Sequence, residues 1–389
     1  EDCLFLNVFL KEINVTPQAR KKVLVYIHGG AFFLGSSISF NPGSIVTDHD
    51  IIVVVIQYRI GALGFLTTKN QAAPGNYALW DQTLALKWVK NNIGAFGGDA
   101  SDVTIVGESA GSVSVSLLTL SAETKGLFTR AYSASGVAMS IITDYRNSDS
   151  IIMSLAKSLN CWNRTEALKL DANTSVEVIR CLRARPASDF TRIQFADISR
   201  PIYIPWADGV FIPRSPRDLL KDTNYLESIG FYDRRYLYSV TNNEKSEAEK
   251  IWQRTLSTST KTSVYDIRGA DQATDNVIGS ALQWYSARLF PPYDVYELQA
   301  DVTFFIPTFD FLNAIAKSGR TSSWLLYFNH YPKHIVSDTK GSPHGLDLAY
   351  WFDADEATLD RRSIEKFDDE DVNLKKVFSS IVANFVKFG

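Results

Sequence analysis

Ser109 stands in Gly107-Glu108-Ser109-Ala110-Gly111, between the β-rich run Val103–Val106 and an apolar run that suits a helix. A serine on a strand-to-helix turn of this kind is presented as a nucleophile. The turn is too tight for bulk two residues either side, which accounts for Gly107 and Gly111. Strained backbone holds the hydroxyl at the C-terminal edge of a sheet, and the helix N-terminus beneath it favours developing negative charge. Five residues alone arise by chance, so the surrounding chain decides what they mean.

A serine needs a base to take its proton and a carboxylate to hold that base in the right tautomer. Where the nucleophile sits on a strand-to-helix elbow the chain order is Ser, acid, His. His28 and His49 precede Ser109, which leaves His330, His334 and His344. His330 and His334 are four apart, the spacing of a zinc pair on a helix, but Pro332 between them argues against a helix and so against a metal site. His344 lies in Gly341-Ser342-Pro343-His344-Gly345, a tight loop able to hold an imidazole above a sheet edge. For the acid, Asp233, Glu244 and Glu247 each follow a plausible strand, and spacing does not separate them. After the strand-like Val23–Ile27, the small residues of His28-Gly29-Gly30-Ala31 leave backbone N–H groups uncovered, as an oxyanion hole requires.

The elements that must position these groups follow from periodicity. Leu4–Leu10 and Val23–Ile27 read as strands, and Ile51–Gln57 is the continuous β-branched run of a strand covered on both faces. Gly75-Asn76 opens a helix with Leu79, Trp80, Leu84, Leu86, Trp88 and Val89 on its apolar side. Strand and helix alternate through the first 140 residues or so, which predicts a mostly parallel sheet with helices on both faces. Beyond Ser135-Gly136 the rhythm breaks into a helical excursion, with a short helix over Ile151–Leu159. The proline-bearing 202–216 stretch reads as loop. Sheet rhythm returns at Tyr236–Val240 and Trp324–Phe328, each followed by a polar loop; these loops hold Glu244 and His344. Ser257–Ser263 reads as a surface loop, and the last helix carries Val372, Leu374, Val377, Phe378, Ile381, Val382, Phe385 and Val386 as its stripe behind an acidic run at 368–371. No repeat or charge block divides residues 1–389, so the expectation is one catalytic domain with an insertion, cut from something longer at both ends.

Composition bounds the partners. A net charge of -3 gives no electrostatic case for nucleic acid or an anionic membrane, and 45% apolar with 21% charged residues is globular. The longest aliphatic run, Ile51–Ile56, is far short of the ~20 residues that cross a bilayer. Sequons at Asn14, Asn163 and Asn173 lean towards export. Cys161 and Cys181 bracket a polar stretch that an oxidised bond would staple, and Cys3 makes the count odd.

Taken together, Glu1–Asn7, His28–Gly35, Tyr58–Phe65, Gly75–Asp81, Phe96–Asp99, Gly107–Gly111, Cys181–Arg183, Asp208-Gly209, His344-Gly345 and Asn384-Phe385 resemble the type-B carboxylesterases and cholinesterases of the α/β-hydrolase fold. The resemblance covers nearly the whole chain. It implies Ser109 as nucleophile, His344 as general base, Glu244 as orienting acid, and backbone N–H groups of Gly30, Ala31 and Ala110 as oxyanion donors. It further implies supporting roles for Glu108 and Ser135, a Cys161–Cys181 disulfide, an Arg59–Asp81 ion pair, no cofactor, no metal, and a small-molecule ester substrate. Departures stand at Lys245, Tyr77, Ala100 and Ala134, where many members carry Gly, Gly, Pro and Gln. The phenylalanines that narrow the acyl pocket of acetylcholinesterases have no counterpart in Asp197–Pro201. The expectation is therefore a secreted, broad carboxylesterase. The rivals are a cholinesterase, a lipase, and a neuroligin-like adhesion protein that keeps the fold without the chemistry.

Overall fold

The computed structural model describes residues 2–12, 16–140, 148–162, 171–196, 203–244, 300–333, 341–354 and 367–389. Asn14, Asn163, Lys245, Glu247, Ser257–Ser263, His334 and the 197–201 stretch lie outside them.

Seven strands form one sheet: β1 (Leu6–Phe9), β2 (Lys21–Ile27), β3 (Ile52–Ile56), β4 (Gly98–Glu108), β5 (Arg130–Ala134), β6 (Arg235–Thr241) and β7 (Ser323–Phe328). Their order across the sheet is β1-β3-β2-β4-β5-β6-β7. Only β1 runs antiparallel to its neighbour; every other pairing is parallel. Parallel strands end at the same edge, so the loops after β2, β4, β6 and β7 share one rim, where ligand sites of open α/β sheets lie. The register sets Ile27 beside Gly107, Glu108 beside Ala134 and Thr241 beside Phe328.

The period of two divides the strands between two cores. Val23, Val25, Ile27, Val54 and Ile105 face helices α1 (Tyr77–Asn92) and α2 (Ala110–Thr119), meeting Leu79, Leu86, Val113 and Leu117. Leu24, Tyr26, Val55 and Val106 face the other way, onto Trp351 and the last helix through Phe378, Val382 and Phe385. Between β5 and β6 the chain leaves the sheet for α3 (Ser148–Ser158), α4 (Ala172–Arg183) and α5 (Ala187–Ala196). This excursion packs its own cluster of Ile152, Leu155, Leu159, Val178, Ile179, Leu182 and Phe190 against Ala62 and Leu66, and the Cys161–Cys181 disulfide ties it. Asn173, in the first turn of α4, is exposed, whereas Ser175 of its sequon is buried and accepts from Asn70 Nδ2.

Beyond this excursion come α6 (Ile306–Ser318) and α7 (Asp369–Phe388). The acidic run caps α7: Asp368 accepts from the N–H groups of Glu370 and Asp371, and Asp371 accepts from that of Asp368. Two expected stripes are narrower than read. Leu84 is 61% exposed, since it lies some 200° round the helix from Leu86, and the buried face of α1 is completed instead by Gln82 and Thr83. Val372, Val377 and Ile381 likewise point outward from α7.

Candidate active site

The elbow is closed on both sides by backbone. A Cβ on Gly107 would lie 2.4 Å from the carbonyl of Gly111, and one on Gly111 would lie 2.0 Å from the Ile27 carbonyl oxygen. Ser109 itself has φ 56° and ψ −122°, a conformation that costs a non-glycine residue about 1–3 kcal/mol. The turn is held by Ser109 N–H donating to Ala134 O at 2.9 Å and by Val113 N–H donating to Ser109 O at 2.9 Å. Ala110 opens α2, so its N–H is among those with no acceptor inside the helix.

The glycine loop after β2 packs against this turn. Gly29 approaches so closely that a Cβ there would lie 3.1 Å from Ser109 Cβ and 2.7 Å from the Glu108 carbonyl oxygen. Gly30, Ala31 and Phe32 all have positive φ, at 110°, 51° and 66°, a conformation that is free for glycine and strained for the other two. Under the loop, buried His28 stacks on Tyr58, and Tyr58 donates to His28 O at 2.6 Å. Burial lowers the His28 imidazole to about 4, so it is neutral there.

Ser109, His344 and Glu244 are brought into one row. His344 Nε2 lies 2.9 Å from Ser109 Oγ, and His344 Nδ1 lies 2.6 Å from Glu244 Oε2. A carboxylate only accepts, so Nδ1 carries a proton, and it is the neutral form of the imidazole that turns an Nε2 lone pair to the serine. Glu244 is fully buried, and its Oε1 accepts from Ser135 Oγ at 2.8 Å and from Thr241 N–H at 2.7 Å. Glu108 Oε1 approaches His344 Nε2 from the other side at 3.2 Å. Burial opposes charge on His344, but Glu108 and then the Glu244 hydrogen bond outweigh it and push the imidazole up to about 9. Burial raises the Glu108 carboxyl to about 7.

The remaining candidates fall elsewhere. Asp233 is exposed and precedes β6 rather than following a strand, so it lies at the opposite edge of the sheet and is not the acid. His330 pairs with buried Asp371 at 2.6 Å, and Tyr350 donates to that same oxygen at 2.9 Å. Among the described residues no group of His, Cys, Asp and Glu could hold a metal ion. Arg59 clamps Asp81 with Nε and Nη2, each at 2.7 Å, and its guanidinium lies 5.3 Å from the ring centroid of Tyr77, one of the departures from the family pattern.

Two groups at the site carried no signal in the sequence. Phe304, in the π-helical turn Asp301–Phe305 before α6, lays its ring 4.5 Å from the His344 imidazole. Asp347, three residues after the histidine, is 1% exposed, and neither carboxylate oxygen has a hydrogen-bond partner among the described residues. Burial, then the charges of Glu108 and Glu244, push it up to about 8.

A parallel sheet covered on both faces, with a serine on a strand-to-helix elbow and a histidine and a carboxylate on later loops of the same rim, defines an α/β-hydrolase. The chain belongs to the carboxylesterase family, whose family model matches residues 1–389. It is 34% identical over 383 residues to bile salt-activated lipase of Mus musculus, covering 90% of this chain and 61% of that protein. The Homo sapiens bile salt-activated lipase is 32% identical over 428 residues, covering all of this chain and 53% of its own length. Carboxylesterase 5A of Homo sapiens reaches 41% identity over 223 residues, 57% of this chain and 36% of that protein. This chain therefore spans less than two thirds of the length of each of these three curated relatives. Juvenile hormone esterase from Manduca sexta, solved with OTFP covalently attached, shares the fold, with a TM-score of 0.81 over 99% of this chain and 74% of that one at 24% identity.

Proposed function

We propose that the protein hydrolyses carboxylic esters through an acyl-serine intermediate. The observation that carries this reading is the unbroken row Ser109 Oγ, His344 Nε2, His344 Nδ1, Glu244 Oε2, with contacts of 2.9 and 2.6 Å. Ser109 Oγ attacks the carbonyl carbon as His344 takes its proton, and the imidazolium is stabilised by Glu244 and Glu108. The carbonyl electrons move onto oxygen, facing the N–H groups of Gly30, Ala31 and Ala110. They then return as the carbon–oxygen bond to the alcohol breaks and His344 protonates the leaving oxygen. Water repeats the sequence on the acyl-serine and releases the acid. Each oxyanion donor is worth on the order of a hundredfold in rate, and Ser135 acts by holding Glu244.

The family and the printed names of the relatives support an ester substrate, and the intact row gives no support to the adhesion reading. Export is supported by the Cys161–Cys181 disulfide and by the exposed Asn173, a glycosylation candidate. No helix among the described residues is long and apolar enough to cross a membrane. The test is steady-state kinetics on p-nitrophenyl esters of increasing acyl length. Ser109→Ala and His344→Ala are each expected to lower kcat by at least about a thousandfold. Retained activity in Ser109→Ala, with folding intact, overturns the reading.

A further inference from the structure

Glu244 and His344 are separated by 100 residues and reach the site on irregular loops, yet their atoms meet at 2.6 Å. Two hydrogen-bonded loops with no regular structure do not hold such a distance unless something ties them together. We propose that Asn242 is the positioning residue that sets the spacing between the Glu244 loop and the His344 loop, a role that rests on the hydrolase reading above.

Asn242 is the first residue beyond β6, and its backbone N–H donates to Phe328 O at 2.8 Å, extending the β6–β7 ladder by one rung. Its side chain then leaves the sheet in two directions. Oδ1 accepts from Ser342 N–H at 2.5 Å, and Nδ2 donates to Oδ1 of Asn329, just past the end of β7. Asn242 and Ser342 each stand two residues before a member of the row, so this one amide links both loops at matching positions. The neighbouring rung repeats the tie, since Asn243 N–H donates to Ser342 O at 3.2 Å and Asn243 forms a parallel bridge with Pro343. Ser342 Oγ donates to His330 O, which anchors the far side of the His344 loop.

Two features make residue 242 specific in this role. Its amide must accept at one end and donate at the other, which neither a carboxylate nor an apolar side chain does. The loop also packs directly onto it. Gly341 has φ +102°, and a Cβ there would lie 2.6 Å from Asn242 Oδ1, so a side chain at 341 would displace the amide. Loss of this tie lets the imidazole drift from Glu244 and Ser109, and misplacement of a reacting group by about 1 Å costs up to about a hundredfold.

The experiment compares wild type, Asn242→Ala and Asn242→Asp by thermal melting, by kcat and KM on a p-nitrophenyl ester, and by the pH profile of kcat/KM. Asn242→Ala is expected to lower kcat by about tenfold to a hundredfold with KM within about twofold, and to move the acid limb to lower pH as the Glu244 contact loosens. Asn242→Asp keeps an acceptor for Ser342 N–H and is expected to recover at least about fivefold of that loss. A kcat for Asn242→Ala within about twofold of wild type, or no recovery in Asn242→Asp, overturns the role. Should Asn242→Ala not fold, Asn329→Leu removes the anchor of the amide without changing residue 242. It is expected to lower kcat at least about threefold, and an unchanged kcat overturns the role. A wild-type protein without esterase activity sinks the hydrolase reading instead.

Discussion

Glu108→Gln exchanges a buried carboxylate, whose Oε1 lies 3.2 Å from His344 Nε2, for a neutral group of the same shape. At that separation two unit charges attract by roughly 5 kcal/mol at an effective dielectric of about 20. Near pH 9, where the imidazole titrates, Glu108 at about 7 is ionised, but burial opposes the imidazolium and Glu244 shares in holding it, so the net loss is set at roughly 1.4–2.7 kcal/mol, or about one to two pH units on the imidazole. His344 acts as base only when neutral, so kcat/KM falls as pH drops through its pKa, which Glu108 and Glu244 push up to about 9. Removing the Glu108 charge destabilises the imidazolium and lowers that pKa. The variant should therefore retain a larger share of its plateau activity at low pH, with an acid limb shifted down by about one to two units. Its plateau should fall, because the same charge stabilises the imidazolium in the transition state. The assay is kcat/KM for a p-nitrophenyl ester from about pH 5 to about pH 10. An acid limb that stays in place or moves upward refutes the reasoning.

Further tests address the surroundings of the row. The folded-state pKa of Asp347, about 8, lies above its unfolded value, so its contribution to stability is full below the unfolded pKa and is lost as pH rises through about 8. Asp347→Asn should show a stability gain over wild type that is small in acid, grows as pH rises towards about 8 and levels off above it at on the order of 2 kcal/mol; a gain independent of pH contradicts this. Replacing Cys161 and Cys181 together by Ser opens a link of sequence separation 20, worth roughly 3 kcal/mol in chain entropy. Melting should fall while esterase activity at room temperature persists, and an unchanged melting point counts against the staple. Gly111→Ala should fail to fold or lose at least about a hundredfold in kcat, since its Cβ would strike Ile27 O at 2.0 Å. Gly94→Ala, with nothing within 4 Å, serves as the neutral control.

What could be read from the chain alone was whatever local pattern encodes. The elbow around Ser109 announces itself because a strand, two obligatory glycines and a helix are contiguous, and β2, β3 and β4 show as apolar runs because they are covered on both faces. The acid was not legible from residues alone. Glu244 was singled out by the family resemblance, and in the fold by the parallel alignment of β5, β6 and β7, which brings Ser135 Oγ, Thr241 N–H and His344 Nδ1 around its carboxylate. Asp233 looked equivalent in sequence because a strand's direction relative to the sheet is invisible there. Asp347, Phe304 and Asn242 were missed for a related reason, each owing its place to a neighbour distant in sequence. Leu84 misled because apolar character shows which residues prefer burial, whereas the partner α2 chose the face of α1 that is covered, and did so with Gln82 Nε2 donating to Ser114 Oγ at 3.1 Å.

The central claim is that Ser109 Oγ is an activated nucleophile at the end of a hydrogen-bonded row. The most direct measurement is intact-mass and peptide-mass analysis after incubation with an organophosphate that phosphorylates serine hydrolases. The account predicts one adduct per chain, on the peptide carrying Ser109, and none in Ser109→Ala or His344→Ala. A folded wild-type protein that gains no mass, or gains it at another residue, contradicts the account.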